Sequence, residues 1–152
     1  MDENKWFSDE NVIQKSKKAY AHFDLRTNVV KARKYITNPD KIKHHGFYPF
    51  IKYVMRYDRF HKVNGKLAFD PKEREICYSA HIDRCIYQYY SALLNEKYNL
   101  RLKHDGINNV PVAYRTDLHC NNIDIFRQAI DFIRECQSCY VMIGDFTDFF
   151  DK

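Results

Sequence analysis

The feature that most constrains the fold is a change of hydrophobic period halfway along the chain. Residues 60–63 and 66–69 flank Asn64-Gly65, the pair that favours a two-residue type I′ turn between antiparallel strands. From Ile82 to Leu94 apolar residues recur at helical spacing, and Ser79 is the expected N-cap. A hairpin followed directly by an amphipathic helix predicts an α+β fold.

The remaining elements are predicted from caps, breakers and short apolar runs. Further helices are expected from Ser8 to His22, from Asn28 to Ile36 and from Asn122 to Cys136, and Asn38-Pro39 stops the second of these. Short strands are expected at 74–78, 110–115 and 140–143, a turn at Asp70-Pro71, and a buried aromatic segment at 47–55.

Charge is distributed unevenly along the chain. Residues 1–76 contain 17 Lys and Arg against 10 Asp and Glu, whereas residues 77–152 contain 8 against 10. A basic half suits a protein that holds phosphates, although an ordinary charged surface explains the same counts. The five cysteines follow no secretory signal and no run is long enough to span a membrane, which predicts a reduced, cytoplasmic protein.

The chain ends on an acidic and aromatic segment, GDFTDFFDK. An apolar run delivers Asp145, and Asp148 and Asp151 follow among phenylalanines. Carboxylates in such a position suit Mg²⁺, a hard cation that takes oxygen ligands and leaves room for phosphates. The alternative is the acidic first turn of a helix, where aspartates cap free amides.

This ending resembles the palm motif of prokaryotic reverse transcriptases, the group of intron, retron and phage-defence enzymes. In that motif an aspartate after an apolar strand is followed five residues later by an aromatic residue, here Asp145 and Phe150. The resemblance implies that Asp145 binds the catalytic Mg²⁺ ions with help from the backbone carbonyl of Phe146. It also implies that Phe150 lies under the sugar of the incoming nucleotide.

Two upstream segments are similar to the fingers motifs of the same family. Arg74 is followed nine residues later by Asp83-Arg84, and Val110 to Arg115 ends in an aromatic-Arg pair. The resemblance implies that Arg74 holds the nucleotide triphosphate. Lys66 and Lys72 are candidates to assist it, and Arg84 and Arg115 are expected to contact nucleic acid. Taken singly, each charge also fits a solvated surface position.

The resemblance implies a division of the chain and an activity. Residues 1–55 would form an N-terminal helical extension, residues 56–120 a fingers-like region, and residues 121–152 the first strand of a polymerase palm. The complete protein would be an RNA-directed DNA polymerase that uses two Mg²⁺ ions, an RNA template, a DNA primer and deoxynucleotide triphosphates. The family's second palm motif, an aromatic-x-Asp-Asp, is absent from the sequence, so the chain is expected to lack the C-terminal palm and thumb.

Two rival interpretations remain open. The first is a basic nucleic-acid-binding module without catalysis. The second is a structural zinc domain, since Cys136 and Cys139 have CxxC spacing and His119-Cys120 could complete four ligands. Cys77, His81 and Cys85 also recur every four residues, but buried free cysteines are common.

The missing Asp-Asp pair predicts that the 152-residue chain is catalytically silent alone, because two-metal phosphoryl transfer needs carboxylates that bridge both ions. A primer-extension assay with Mg²⁺ or Mn²⁺ is expected to show no nucleotide incorporation. Extension by protein shown to be free of contaminating polymerase would refute this expectation.

Overall fold

A computed structural model of the chain describes residues 1–115, 117–136 and 138–146. Within these residues the fold is α+β, with six helices and one two-stranded antiparallel sheet. The elements in chain order are α1 (Glu3–Ser8), α2 (Glu10–Ser16), α3 (Val29–Ile36), α4 (Pro39–Lys43), β1 (Ile51–Val63), β2 (Lys66–Tyr78), α5 (His81–His104) and α6 (Asn122–Glu135). The chain divides into two units, Met1–Arg101 and Leu102–Lys152.

The predicted hairpin is confirmed and is longer than the sequence pattern indicated. Asn64 and Gly65 have φ angles of 50° and 78°, as a type I′ turn requires. The ladder runs without interruption from the pair nearest the turn to Ile51↔Tyr78. The predicted turn at Asp70-Pro71 is wrong, because Pro71 lies within β2. In a two-stranded ribbon every strand is an edge strand, so a residue without an N–H is tolerated.

The main hydrophobic core of the first unit lies between its helices. The buried side chains of this cluster come from α1, α3 and α5 and are Phe7, Val29, Ala32, Ile36, Cys85, Ile86 and Tyr89. Burial, and then the hydrogen bond to Glu3 and the charge of Glu3, raise the pKa of Tyr89 to about 12. The helices therefore share one hydrophobic interior, whereas the strands of the hairpin are held by their pairing with each other.

The predicted helix from Ser8 to His22 is wrong in its bounds, because α2 begins at Glu10 and ends at Ser16, and the separate helix α1 precedes it. Asp9 is the N-cap of α2, and its carboxylate accepts from the amides of Asn11 and Val12 at 2.8 and 3.4 Å. The side chain of Ser8 instead donates to the carbonyl of Asn4. The predicted helices that became α3 and α6 are confirmed, and each begins after an asparagine N-cap.

The predicted burial of residues 47–55 is wrong. Phe47, Tyr48, Phe50 and Tyr53 are about half exposed. Tyr53 lies on β1, which pairs with β2 alone, so its side chain faces one side of a ribbon instead of the interior of a layered sheet. Phe47, Tyr48 and Phe50 precede β1. The run 140–143, expected to be a strand, forms no strand in the described residues, and Tyr140 is fully exposed.

Helix α5 begins at His81, and a residue distant in sequence caps it. The carboxylate of Asp24 accepts from the amide of Ile82 at 3.1 Å and pairs with Nδ1 of His81 at 2.6 Å. Ser79, the expected N-cap, instead accepts at its carbonyl from the hydroxyl of Tyr20 at 2.7 Å. The helix start is therefore fixed by tertiary contacts with the segment that follows α2.

Among the described residues, no helix is both long enough and apolar enough to cross a membrane.

The Asp24 contacts predict a pH-dependent stability. Burial raises the pKa of the Asp24 carboxyl, but the hydrogen bonds from His81 and the Ile82 amide and the charge of His81 outweigh it, so the net shift is downward. A carboxyl with a lowered folded-state pKa stabilises the fold above its unfolded pKa of about 3.9, and this stabilisation is lost as the pH falls through the folded value.

We expect Asp24→Asn to lower the free energy of unfolding at pH 7 by about 1–3 kcal/mol, since a buried charge-assisted hydrogen bond is weakened. The difference from the parent chain should shrink as the pH falls below about 4. Urea denaturation at several pH values measures both effects. Asp58→Asn, at an exposed strand position, is the control; an equal pH-dependent loss there would contradict the assignment.

Candidate functional site

The two faces of the hairpin differ in charge. The strand period of two places Lys66, Lys72 and Arg74 on the same face of β2, opposite Val63, Tyr57 and Met55 of β1. We call this the cationic face; it also carries Arg59 and the single carboxylate Asp70.

The other face of the hairpin is charge-balanced. It carries three cationic and three acidic side chains: Lys52, Arg56, Lys62, Asp58, Glu73 and Glu75. Two ion pairs lie on it, Lys52–Glu75 at 2.5 Å and Arg56–Glu73 at 2.7 Å. Charge compensation on one face alone leaves a net positive field on the cationic face.

The guanidinium of Arg74 on the cationic face is held by an aromatic ring. Its guanidinium lies over the ring of Tyr57, 5.5 Å from the ring centroid, and its cross-strand partner is Met55. The contact with the ring orients a side chain whose fork of N–H donors suits phosphate oxygens. Exposed Tyr53 lies on the same face and offers a ring on which a base can stack.

The predicted nucleotide-binding cations are not all brought together. Lys72 and Arg74 are two residues apart on one strand, a separation of about 7 Å along its axis. Lys66 lies eight residues from Arg74, at the turn, which corresponds to roughly 27 Å. One nucleotide triphosphate could therefore contact Lys72 and Arg74 but not Lys66 as well.

The Asp83-Arg84 pair points inward instead of forming an exposed first turn. Asp83 is 1% exposed, and its carboxylate accepts from the amide of Tyr48 at 2.9 Å and pairs with Nε2 of His45 at 2.7 Å. Nδ1 of His45 pairs in turn with the hydroxyl of Tyr35 at 2.8 Å. His45 is therefore part of a buried network.

Arg84 has a structural role. One guanidinium nitrogen donates to the carbonyl of Lys18 at 2.8 Å, another donates to the carbonyl of Ser16, and the group lies 5.1 Å from the ring centroid of Tyr20. These bonds satisfy carbonyls at the C-terminal end of α2. A contact between Arg84 and nucleic acid stays a prediction.

Arg115 also makes intramolecular contacts. Its guanidinium donates to both carboxylate oxygens of Asp117, at 3.0 and 2.6 Å, and to the backbone and side-chain oxygens of Asn108. The hydrogen bond from Arg115 lowers the pKa of Asp117. The predicted strand at 110–115 is wrong, because this segment turns back on itself, with Tyr114 at a φ of 58°.

The predicted catalytic end of the chain is described only in part. Asp145 is exposed and accepts from the amide of Phe146 at 2.9 Å, and Phe146 is 80% exposed. Phe150 and Asp148 lie outside the described residues. Arg74 and Asp145 belong to different units, so a common cleft for the two side chains stays a prediction.

The described residues contain no group of three or more His, Cys, Asp or Glu side chains that could hold a metal ion. Asp145 alone does not fit the two-ion centre that the resemblance implies, because that centre needs bridging carboxylates. The thiols of Cys136 and Cys139 are free. The magnesium role of Asp145 stays a prediction.

Sequence reasoning missed Asp24, which together with Asp83 determines how α5 begins. Both carboxylates accept a backbone amide and pair with a histidine distant in sequence. The sequence contains seven histidines, any of which can pair with a carboxylate. The His45–Asp83 and His81–Asp24 partners are 38 and 57 residues apart, so no local sequence pattern indicates these pairs.

The chain was also compared with known proteins. No protein-family model matches it, and no curated protein is significantly similar to it.

The Arg84 contacts predict a loss of stability on substitution. Arg84→Gln should lower the free energy of unfolding by about 1.5–3 kcal/mol, because hydrogen bonds from a charged donor are lost. Arg84→Lys should not restore it, since an ammonium cannot reproduce the planar fork of donors. Denaturant titration measures these values.

Lys97→Gln is the matched control, because Lys97 is an exposed cation on the same helix. An Arg84→Gln variant as stable as the Lys97→Gln variant would contradict the structural role of Arg84.

Proposed function

We propose that this chain supplies the nucleotide-binding fingers and the first part of the palm of a reverse-transcriptase-like, RNA-directed DNA polymerase. The observation that carries the proposal is the cationic face, where Arg74 and Lys72 lie side by side next to Tyr57. The same arginine is the residue that the fingers motif assigns to the triphosphate.

The cationic face has the chemistry that a triphosphate requires. The guanidinium of Arg74 presents paired N–H donors to phosphate oxygens, and the ammonium of Lys72 adds a second charge about 7 Å along the strand. The ring of Tyr57 holds the guanidinium in place, which lowers the conformational entropy that binding removes. Arg74 thus orients the phosphates, and Lys72 adds electrostatic attraction.

The buried network around Asp83 supports the same proposal, because it holds the base of the hairpin that carries Arg74. Asp83 holds the amide of Tyr48, three residues before β1 begins at Ile51. The Asp of the motif therefore fixes the base of the hairpin that carries the Arg of the motif. This gives a physical reason for the two residues to occur together in one sequence motif.

In the proposed enzyme Asp145 would be one of the carboxylates that bind Mg²⁺, which supplies charge stabilisation during nucleotidyl transfer. The rest of the carboxylate set would come from the second palm motif, which this sequence does not contain. RNA template and DNA primer would occupy the same protein, and deoxynucleotide triphosphates would be its substrates.

A second candidate function is binding of single-stranded nucleic acid without catalysis. The observation that favours it is the exposure of Tyr53 and Tyr57 beside Lys72 and Arg74 of the cationic face, because stacking on aromatic rings and phosphate attraction suffice for sequence-tolerant binding.

The first proposal predicts a face-specific loss of nucleotide binding. Arg74→Gln should weaken binding of a deoxynucleotide triphosphate with Mg²⁺ by roughly fivefold or more, the range of one charge-assisted contact. Isothermal titration or chemical-shift titration measures it. Arg56→Gln removes the same charge from the balanced face of the same hairpin and should change affinity less than about twofold. Equal effects of the two substitutions would reject the proposed site.

The second candidate is tested with a single-stranded oligonucleotide at two salt concentrations. Binding should weaken steeply as salt rises, because phosphate contacts release counterions. If Arg74→Gln weakens oligonucleotide binding but leaves triphosphate affinity unchanged, the non-catalytic module is the better assignment. Affinity that does not respond to salt would argue against both.

A further inference from the structure

We propose that a cavity between the end of α2 and the start of α3 binds a phosphate-type oxyanion. This site goes beyond the function proposed above, because none of its residues lies on the hairpin. The cavity has a volume of about 200 Å³. Its principal polar lining residues are Lys17, Lys18, Arg26, Asn28, Lys31 and His81.

The lining of the cavity is strongly cationic. Four of the lining side chains carry a positive charge, and no carboxylate side chain is among the described residues that line it. The cationic side chains are exposed and long, so their charged ends can converge on a ligand. Four cations around one space favour a multiply charged anion over a singly charged carboxylate.

The start of α3 adds a second source of positive potential. Asn28 is the N-cap, and its side chain accepts from the amide of Lys31 at 3.0 Å. Both residues line the cavity, so the positive end of the helix dipole borders it. Helix N-termini bind phosphate through this combination of dipole and amide donors.

A buried, unpaired nitrogen at the cavity provides the independent observation. His81 is 1% exposed, and its Nε2 has no hydrogen-bond partner among the described residues. Nδ1 pairs with Asp24 at 2.6 Å, and the ring of Tyr20 stacks on the imidazole at 4.8 Å, so the orientation of His81 is fixed. A buried polar atom without a partner costs free energy, which a ligand can recover.

Nε2 of His81 would donate to the anion. Nδ1 faces the carboxylate of Asp24 at 2.6 Å, so each ring nitrogen would then carry a proton and face an anionic oxygen. A tetrahedral phosphate group presents oxygens in several directions and so can accept from His81 while it faces the lysines. The ligand group is therefore a phosphate, either a free one or one carried by a nucleic acid.

Titration of the full chain with inorganic pyrophosphate at constant ionic strength tests the site. Lys31→Gln should weaken binding by roughly fivefold, the upper range of one exposed ion pair. Lys34→Gln is the matched control, because it removes the same charge from an exposed position on the same helix outside the cavity. It should change affinity less than about twofold.

His81→Asn tests whether Nε2 of His81 contributes to the cavity's affinity for the anion. The asparagine amide can still donate to Asp24 near the position of Nδ1, but it offers nothing at the position of Nε2. We expect weaker pyrophosphate binding, and the thermal unfolding midpoint of the variant reports any loss of the contacts of His81 with Asp24 and Tyr20. If this variant fails to fold, the comparison of Lys31→Gln with Lys34→Gln still decides the question.

A single-stranded oligonucleotide with a 5′-hydroxyl separates the two sources of phosphate. Weaker oligonucleotide binding in Lys31→Gln, with competition by pyrophosphate, identifies a backbone phosphate; an unchanged oligonucleotide affinity identifies a small phosphate. Absence of saturable pyrophosphate binding, or equal losses in Lys31→Gln and Lys34→Gln, overturns the proposal. None of these readouts depends on Arg74, so this proposal and the polymerase proposal can fail separately.

Discussion

The first unit depends on how the N-terminal end of α5 is held. Asp24 reaches this end from the segment after α2 and accepts the amide of Ile82, while Asp83 on the helix itself accepts the amide of Tyr48. Each carboxylate also pairs with a histidine. Buried carboxylates are costly unless they are fully hydrogen-bonded, so both segments must be in place together. Helix α5, the segment that contains Asp24 and the segment that leads into β1 therefore depend on one another.

Arg84 extends the same arrangement to the carbonyl end of α2. It donates to the carbonyls of Ser16 and Lys18. A short helix of seven residues, α2, is marginal alone and gains from a cation at its C-terminal end. The Asp-Arg pair, read from sequence as part of a ligand-binding motif, thus links α5 to the segment before β1 and to the end of α2.

The sequence predicted the elements that local rules determine. The Asn64-Gly65 turn and the helices α3 and α6 follow from relations between near neighbours. The predictions from the sequence were wrong where contacts between distant residues determine the structure. Ser79 had the composition of an N-cap, but Asp24 takes that role from 58 residues away. Residues 47–55 had the composition of a core, but residues 51–55 belong to a two-stranded ribbon, which has no interior.

The length of the hairpin has a mechanical consequence. Each strand has 13 residues, so the ribbon extends about 40 Å from its base to its turn. A rotation of 5° at the base would displace the turn by roughly 3–4 Å, but the position of Arg74 by only about a third of that distance. Arg74 lies near the fixed end of this lever and Lys66 at its moving end. The hydrogen bond from the amide of Tyr48 to Asp83 holds the chain three residues before the base, and a loosened base would spread the positions of Lys66 far more than those of Arg74.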